Sequence, residues 1–538
     1  MEIPLLIVLT VAGVSLARYT FGMWRRRRLL RHVPGPDSNS FLLGNLPELL
    51  RSPAAEIEFD WQERYGGVVK YNGAFGEQLL MISDPVAAQY VVQTSGYGFI
   101  RPSDRKEVSR QLLGRGILTV EGHDHKRHRR IMVPGLSSVE VNSWMADKWA
   151  DLMHDKDVTV CDIPFWTARA TLGKSPRKRS HVRKLTPAFD YHFNALDDDS
   201  NAMAKVYHNL LSKTRRNPSN YEILMAEAIG RLPNDLVRYW NDFIPNRRRT
   251  HAARCKAIAE PIARDLVARK LSALQAGETG TDVMSRLVQA NASADPDDRL
   301  DEEELLAQLL TMILSGHETT ANTLSWALYE LCRHPDVQTR LRTELRTFRA
   351  TSGSSEPSAA AFDGMPYLAA VVKETLRFHA PVYNTARTAA REDVIPLGEP
   401  IVDSCGQSIY EIPVLEGQRV LISIAAYNRN KAIFGTDADR YDPERWLKPG
   451  YVNRQASIGM YSNLLTFGGG HRGCLGWRFA VLELSAFLFE LINRFDFAIS
   501  PTLRVHRGAA AVMVPMLEGE LEKGTQLPLF VRHAAFSE

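Results

Sequence analysis

The sequence predicts a mainly α fold with small β-sheets, the α+β class, on three observations. Apolar residues recur at helical spacing through most of residues 190–350, strand patterns are short and confined to 68–82 and 393–424, and no alternating strand–helix series runs along the chain. With 44% apolar and 24% charged residues, a chain of 538 can bury a large core, which excludes a disordered or fibrous protein.

From the N-terminus, Ile3 to Trp24 hold a single charge, Arg18. A helix of that length reaches roughly 30 Å, the thickness of a bilayer's hydrocarbon, so residues 1–24 are expected to be a transmembrane anchor. Arg25 to Arg28 and Arg31 follow and would keep the next segment cytoplasmic. A cleaved signal peptide would carry its cations before the apolar run and a small-residue site after it, and neither is present. The net charge of +4 divides accordingly: the first 31 residues carry six Arg against Glu2, leaving the remainder near neutral, which argues against a nucleic-acid partner. Residues 25–40, with HVPGP, form a basic and Pro/Gly-rich hinge, and residues 41–538 the globular body.

In the body, Val68–Tyr71 and Leu79–Ile82 flank a turn containing Asn72-Gly73, a hairpin, and Asp84-Pro85 caps and starts a helix. Leu305, Leu306, Leu309, Leu310 and Ile313 recur as one helix face that continues through 324–331. TSGSSEPSAA at 351–360 is a loop, a helix runs from Pro366 to about His379, short strands fit 393–424, and a last helix follows Cys474. Five unpaired cysteines, at 161, 255, 332, 405 and 474, encourage neither a disulfide framework nor a zinc site. Residues 173–186, GKSPRKRSHVRKLT, hold six cations and no acid and cannot enter an apolar core, so they are expected to be an atypical basic insertion. Asn291-Ala-Ser is a glycosylation sequon that stays bare in a cytosolic body.

The chemistry concentrates in TFGGGHRGCLG, 466–476. Gly468, Gly470 and Gly473 have the spacing of a dinucleotide loop, with NLLTF before them as a possible strand and Asp496 as a ribose-binding acid. Too few residues remain after Asp496 for the strands and helices of such a domain. The alternatives for Cys474 are an inert cysteine beside a turn or a thiolate metal ligand.

Phe467-x-x-Gly470-x-Arg472-x-Cys474-x-Gly476 resembles the haem-binding loop of the cytochrome P450 monooxygenases, of the fungal membrane-anchored type. The resemblance implies a cytochrome P450-like haem-thiolate fold holding haem b, with Cys474 as axial ligand to iron. Gly470 and Gly476 would let backbone approach the sulfur and porphyrin, Arg472 would pair with a propionate, and Phe467 would shield the proximal side. KETLR is similar to the family's Glu-x-x-Arg, with Glu374 and Arg377 on one helix face and Arg445 of YDPERW as third member of a structural cluster. The same spacing at Glu48/Arg51, Glu107/Arg110, Glu330/Arg333 and Glu416/Arg419 is expected to be surface pairing or coincidence. ILSGHETTANTLSW resembles the oxygen-binding segment, where Gly316 would open the helix and Glu318 with Thr319 would relay protons. Ser315 stands where the family usually has Ala or Gly. EGHDHKRHRRIMVP is similar to a helix of fungal members in which His125 and Arg129 face the propionates, while Lys126, Arg127 and Arg130 form a basic face for a reductase. His123, His125 and His128 do not stack as a metal site. Arg387 matches another propionate-binding arginine.

The resemblance spans about 33–520. It implies an O2-dependent monooxygenase in the endoplasmic reticulum membrane that hydroxylates or epoxidises a lipophilic small molecule of secondary metabolism, such as a terpenoid. NADPH electrons would arrive through NADPH–cytochrome P450 reductase, with cytochrome b5 as a further donor. A haem-thiolate isomerase or dehydratase, and an inactive haem-binding scaffold caused by the 173–186 insertion, stand as alternatives.

Overall fold

The computed structural model describes residues 20–38, 40–136, 158–172, 217–231, 236, 247–278, 280, 282–352, 357, 359–403, 406–453 and 458–535. The expected anchor falls mostly outside them, and the basic stretch 173–186 entirely so. Among the described residues no helix is long and apolar enough to cross a membrane. They form two compact units, one drawn from Met1–Pro102, Asn217–Leu232 and Asn384–Tyr427, the other from Ser103–Arg216, Pro233–Tyr383 and Asn428–Glu538.

The first unit is built on a five-stranded sheet. Its strands lie in the spatial order Val68–Asn72, Gln78–Ile82, Arg419–Ser423, Asn384–Ala389 and Phe99–Ile100. The expected hairpin is there, with Val68 opposite Ile82 and Asn72 opposite Gln78. Leu80, Met81 and Ile82 are all buried, so this strand does not alternate. Its faces are both covered, as suits a strand paired on each side. Asp84 caps the helix Pro85–Gln89 by accepting from Ala87 N at 2.8 Å.

The basic N-terminal segment is helical over 20–29 and packs on this unit. Arg25 pairs with Glu392 at 3.3 Å, while Arg26 and Arg27 donate to the main-chain oxygens of Glu416 at 2.9 Å and Gly76 at 3.2 Å. Lys70 N then donates to Pro34 O at 2.8 Å. A Cβ on Gly35 would stand 1.7 Å from Lys70 O, so only glycine lets the backbones approach there.

The second unit is mainly helical. The long helix Glu302–Arg333 starts in a capping box, Asp301 accepting from Glu304 N at 2.8 Å and Glu304 returning to Asp301 N at 3.3 Å. It is buried nearly all round, as an interior helix must be. Leu305, Leu309, Leu310 and Ile313 join Val283, Leu287, Ala263 and Ile131 in one apolar cluster. Asn291 is buried, its amide bonded to Leu300 O at 3.1 Å and Leu300 N at 2.7 Å, so the sequon serves a turn. Pro366–Phe378 and Trp477–Arg494 supply the other helices near the site.

Two details exclude the dinucleotide alternative. NLLTF is not a strand but runs into a 3-10 turn over Leu465–Phe467. Asp496 is bound by Arg342 at 2.6 Å and Arg532 at 3.0 Å.

Candidate active site

Cys474 lies between two turns and the helix Trp477–Arg494. Gly470 adopts φ +60, a left-handed conformation that costs glycine nothing, and Cys474 N donates to Phe467 O at 2.7 Å. These features fold the loop around the sulfur. Cys474 is exposed. Yet burial is the leading influence on its thiol, pushing it up, opposed by the Gly476 amide and the charge of Arg129. Both statements hold when a sulfur is ringed by protein and faces open space within the fold.

The second element is the middle of the long helix. Leu314 and His317 are buried, but Ser315 and Gly316 between them are exposed and Thr319 is half-buried. No heavy atom lies within 4 Å of where a Cβ on Gly316 would stand. Thr319 Oγ1 donates to Ser315 O at 2.6 Å, and the neighbouring Glu318 is buried. Leu475 of the cysteine loop packs against the cluster that contains Leu310, Ile313 and Leu314.

The third element is the arginine-rich helix Gly122–Leu136. Arg129 Nη1 donates to Gly473 O at 2.7 Å, one residue from the sulfur. His125 is buried, with its ring edge-on to His471 at 6.0 Å. Arg472 donates to Val120 O at 2.9 Å and pairs with Glu121. His125, Arg129, Arg472 and Cys474 are therefore brought together, with Phe467 half-buried against Tyr461.

Of the three cations expected on a basic face, Lys126 and Arg130 are exposed, Arg130 pairing with Asp298, whereas Arg127 is turned inward and held by the buried Glu304 through two bonds, 2.6 and 2.9 Å. A guanidinium beside a desolvated carboxylate gains more there than in water, which decides its direction. His128, not singled out as a structural residue in the sequence, completes this knot. Gln308 Oε1 accepts from Ile117 N at 3.1 Å, so its amide nitrogen must be the donor to His128 Nδ1 at 2.9 Å. The ring proton then sits on Nε2 and goes to Glu304 Oε1 at 3.1 Å. The signal was only its position, three residues from His125 on a helix.

Glu374, Arg377 and Arg445 meet as a fully buried cluster. Glu374 accepts from Arg377 at 2.7 and 2.8 Å, from Arg445 at 3.0 Å, from Trp446 Nε1 at 2.9 Å and from Asp442 N at 2.8 Å. Arg377 spends its other donors on the carbonyls of Asn428, Ala438 and Arg440. Every charge is satisfied, the condition for burying it. Among the expected decoys, Glu330 is also fully buried and accepts from His379 Nε2 at 2.7 Å, so it is no surface pair.

Arg387 belongs to the first unit, on the strand Asn384–Ala389, where its Nη1 donates to Thr385 Oγ1 at 2.7 Å and Ala386 O at 2.8 Å.

A thiol, nearby guanidinium groups and a buried helix left open at a glycine are the donor set and space that a haem requires. The comparisons agree in class. The family described as Cytochrome P450 matches residues 33–516. The chain is 34% identical over 531 residues to cytochrome P450 monooxygenase 128 of Postia placenta, covering 94% of this chain and 92% of that one. It is 31% identical over 530 residues to cytochrome P450 monooxygenase claU of Ampulloclitocybe clavipes, covering 94% of each. This chain belongs to the cytochrome P450 family, whose members are oxidoreductases acting with incorporation of oxygen from O2 through a cysteine-held haem.

Proposed function

We propose that the protein is a membrane-anchored haem-thiolate monooxygenase that hydroxylates or epoxidises a lipophilic small molecule. The observation that carries this is the Cys474 loop, whose cysteine is exposed while Arg129 donates to the Gly473 carbonyl beside it. With haem b bound, thiolate-held iron supplies O2 activation, placing one oxygen atom in an apolar C–H or C=C bond and releasing the other as water. Cys474 is the iron ligand, and Gly470 and Gly476 leave room for porphyrin beside the loop. His125, Arg129 and Arg472 bind its propionates, Arg472 by exchanging Glu121 for a propionate. Phe467 keeps water from the sulfur.

Thr319 and Glu318 hold and move protons at the oxygen. The Thr319 hydroxyl gives its hydrogen to Ser315 O, which leaves its lone pairs to accept, and Glu318 is the carboxyl that resupplies it. Both are present, which disfavours an isomerase or dehydratase that needs no O2, and an inactive scaffold. Electrons come from NADPH through NADPH–cytochrome P450 reductase, with cytochrome b5 as a further donor. Localisation is the endoplasmic reticulum, anchored by residues 1–24 with the body cytosolic. Secondary metabolism is the setting we propose, with terpenoids the first class to screen.

The test is the reduced protein under carbon monoxide. A thiolate-type Soret band should appear and vanish in Cys474→Ala; its survival in that variant refutes the ligand. NADPH-dependent oxygenation of a lipophilic panel by enzyme plus reductase tests the reaction.

A further inference from the structure

The hydroxyls along the open stretch of the long helix are almost all occupied. Thr311 donates to Ala307 O at 2.6 Å, Thr319 to Ser315 O at 2.6 Å, Thr323 to Thr319 O at 2.8 Å and Ser325 to Ala321 O at 2.9 Å. Thr320 turns to Glu483. Serine and threonine in a helix ordinarily satisfy themselves this way, against the carbonyl one turn back. Ser315 is the exception: it is exposed, and its hydroxyl has no partner among the described residues. It stands beside Gly316, whose missing side chain leaves the space open.

The surroundings toward the N-terminal end of the helix are apolar. Met312, Ile313 and Leu314 belong to the cluster that also gathers Ile117, with Leu112 and Leu118 packed at its edge. One unspent hydroxyl on an apolar wall is the pattern by which a pocket orients a mostly hydrophobic molecule through a single polar contact.

Resting on the monooxygenase function proposed above, we infer that Ser315 is a substrate-orienting residue, and that the molecule oxidised here already carries an oxygen function, a hydroxyl or carbonyl, near the carbon attacked. A plain hydrocarbon would leave this hydroxyl facing apolar surface and forfeit the hydrogen bond. The class of reaction that supplies the substrate is then an earlier oxygenation or hydration of the same skeleton.

The test uses the full-length haem-loaded protein and two probes that bind iron through a ring nitrogen, N-(2-hydroxyethyl)imidazole and N-propylimidazole. They differ by exchange of a terminal methyl for a hydroxyl, and binding is read from the Soret shift. Ser315→Ala, which removes an exposed hydroxyl and should not disturb folding, is expected to lower the preference for the hydroxyl probe by roughly fivefold, the size of one net hydrogen bond. An unchanged preference overturns the proposal. So does an unchanged preference together with more NADPH consumed per product, which assigns Ser315 to oxygen chemistry. Identification of the native substrate as a hydrocarbon also overturns it. Absence of the carbon monoxide thiolate band in the unaltered protein would instead remove the monooxygenase function itself.

Discussion

Thr319 makes one short bond, to Ser315 O at 2.6 Å, and its neighbour Glu318 is buried. If this hydroxyl delivers protons, Thr319→Ala should keep substrate binding and spend NADPH without product, lowering coupling several-fold; stoichiometry of NADPH to product checks it, and unchanged coupling removes the residue from the relay. His128 makes a different case. Its neutral ring bridges Gln308 and Glu304, so His128→Phe leaves a buried amide nitrogen without an acceptor and should cost about 1–3 kcal/mol in urea unfolding. Burial holds the ring's pKa below the ordinary value. Acid therefore favours the unfolded chain, which takes up a proton the folded ring refuses, and this loss as pH falls below about 6.5 should disappear in His128→Phe. Cys474 and the 374/377/445 trio were legible because each is tied to a short, distinctive sequence string. His128 was not, since its partners Glu304 and Gln308 come from a distant helix and no local spacing announces them.

Between elements, the carboxyls do most of the bracing. Glu374 joins the helix Pro366–Phe378 to the turn Pro443–Trp446 and its cap through three donors, from Arg445, Trp446 and the Asp442 amide. Glu374→Ala should strand two buried guanidinium groups and cost roughly 3–5 kcal/mol, seen as lost haem retention and a lower denaturation midpoint. Glu483 joins the helix after Cys474 to the long helix through Thr320 and, with no basic partner among the described residues to hold it ionised, is pushed up to about 8 by burial. A carboxyl raised in the folded state binds its proton more tightly there, so stability is lost as pH rises from about 4.5 toward 8. Glu483→Gln should flatten that slope, raising the melting temperature most at pH 8, less at pH 6 and little near pH 4. The helical pattern at 305–313 and the hairpin at 68–82 could be read from periodicity, because a buried stripe dictates it. The fate of Arg127 could not, because which of several neighbouring cations finds Glu304 is settled by tertiary packing.

For the whole molecule, the sequence locates the excess positive charge at the start of the chain, and the structure shows what part of it does. Deleting residues 1–24 should release the protein from membranes into the soluble fraction at unchanged salt; continued sedimentation with membranes would show that another surface holds it. Division into two units was not readable, because each unit is assembled from three separated stretches and composition does not shift at their boundaries.

The attachment of Arg26 and Arg27 has a further consequence. Their partners are peptide oxygens of Glu416 and Gly76, not carboxylates. Counter-ions compete poorly for such geometry, so this stretch should resist trypsin equally in dilute buffer and in brine, giving the body a rigid stalk whose bearing is set by shape and not by ionic atmosphere.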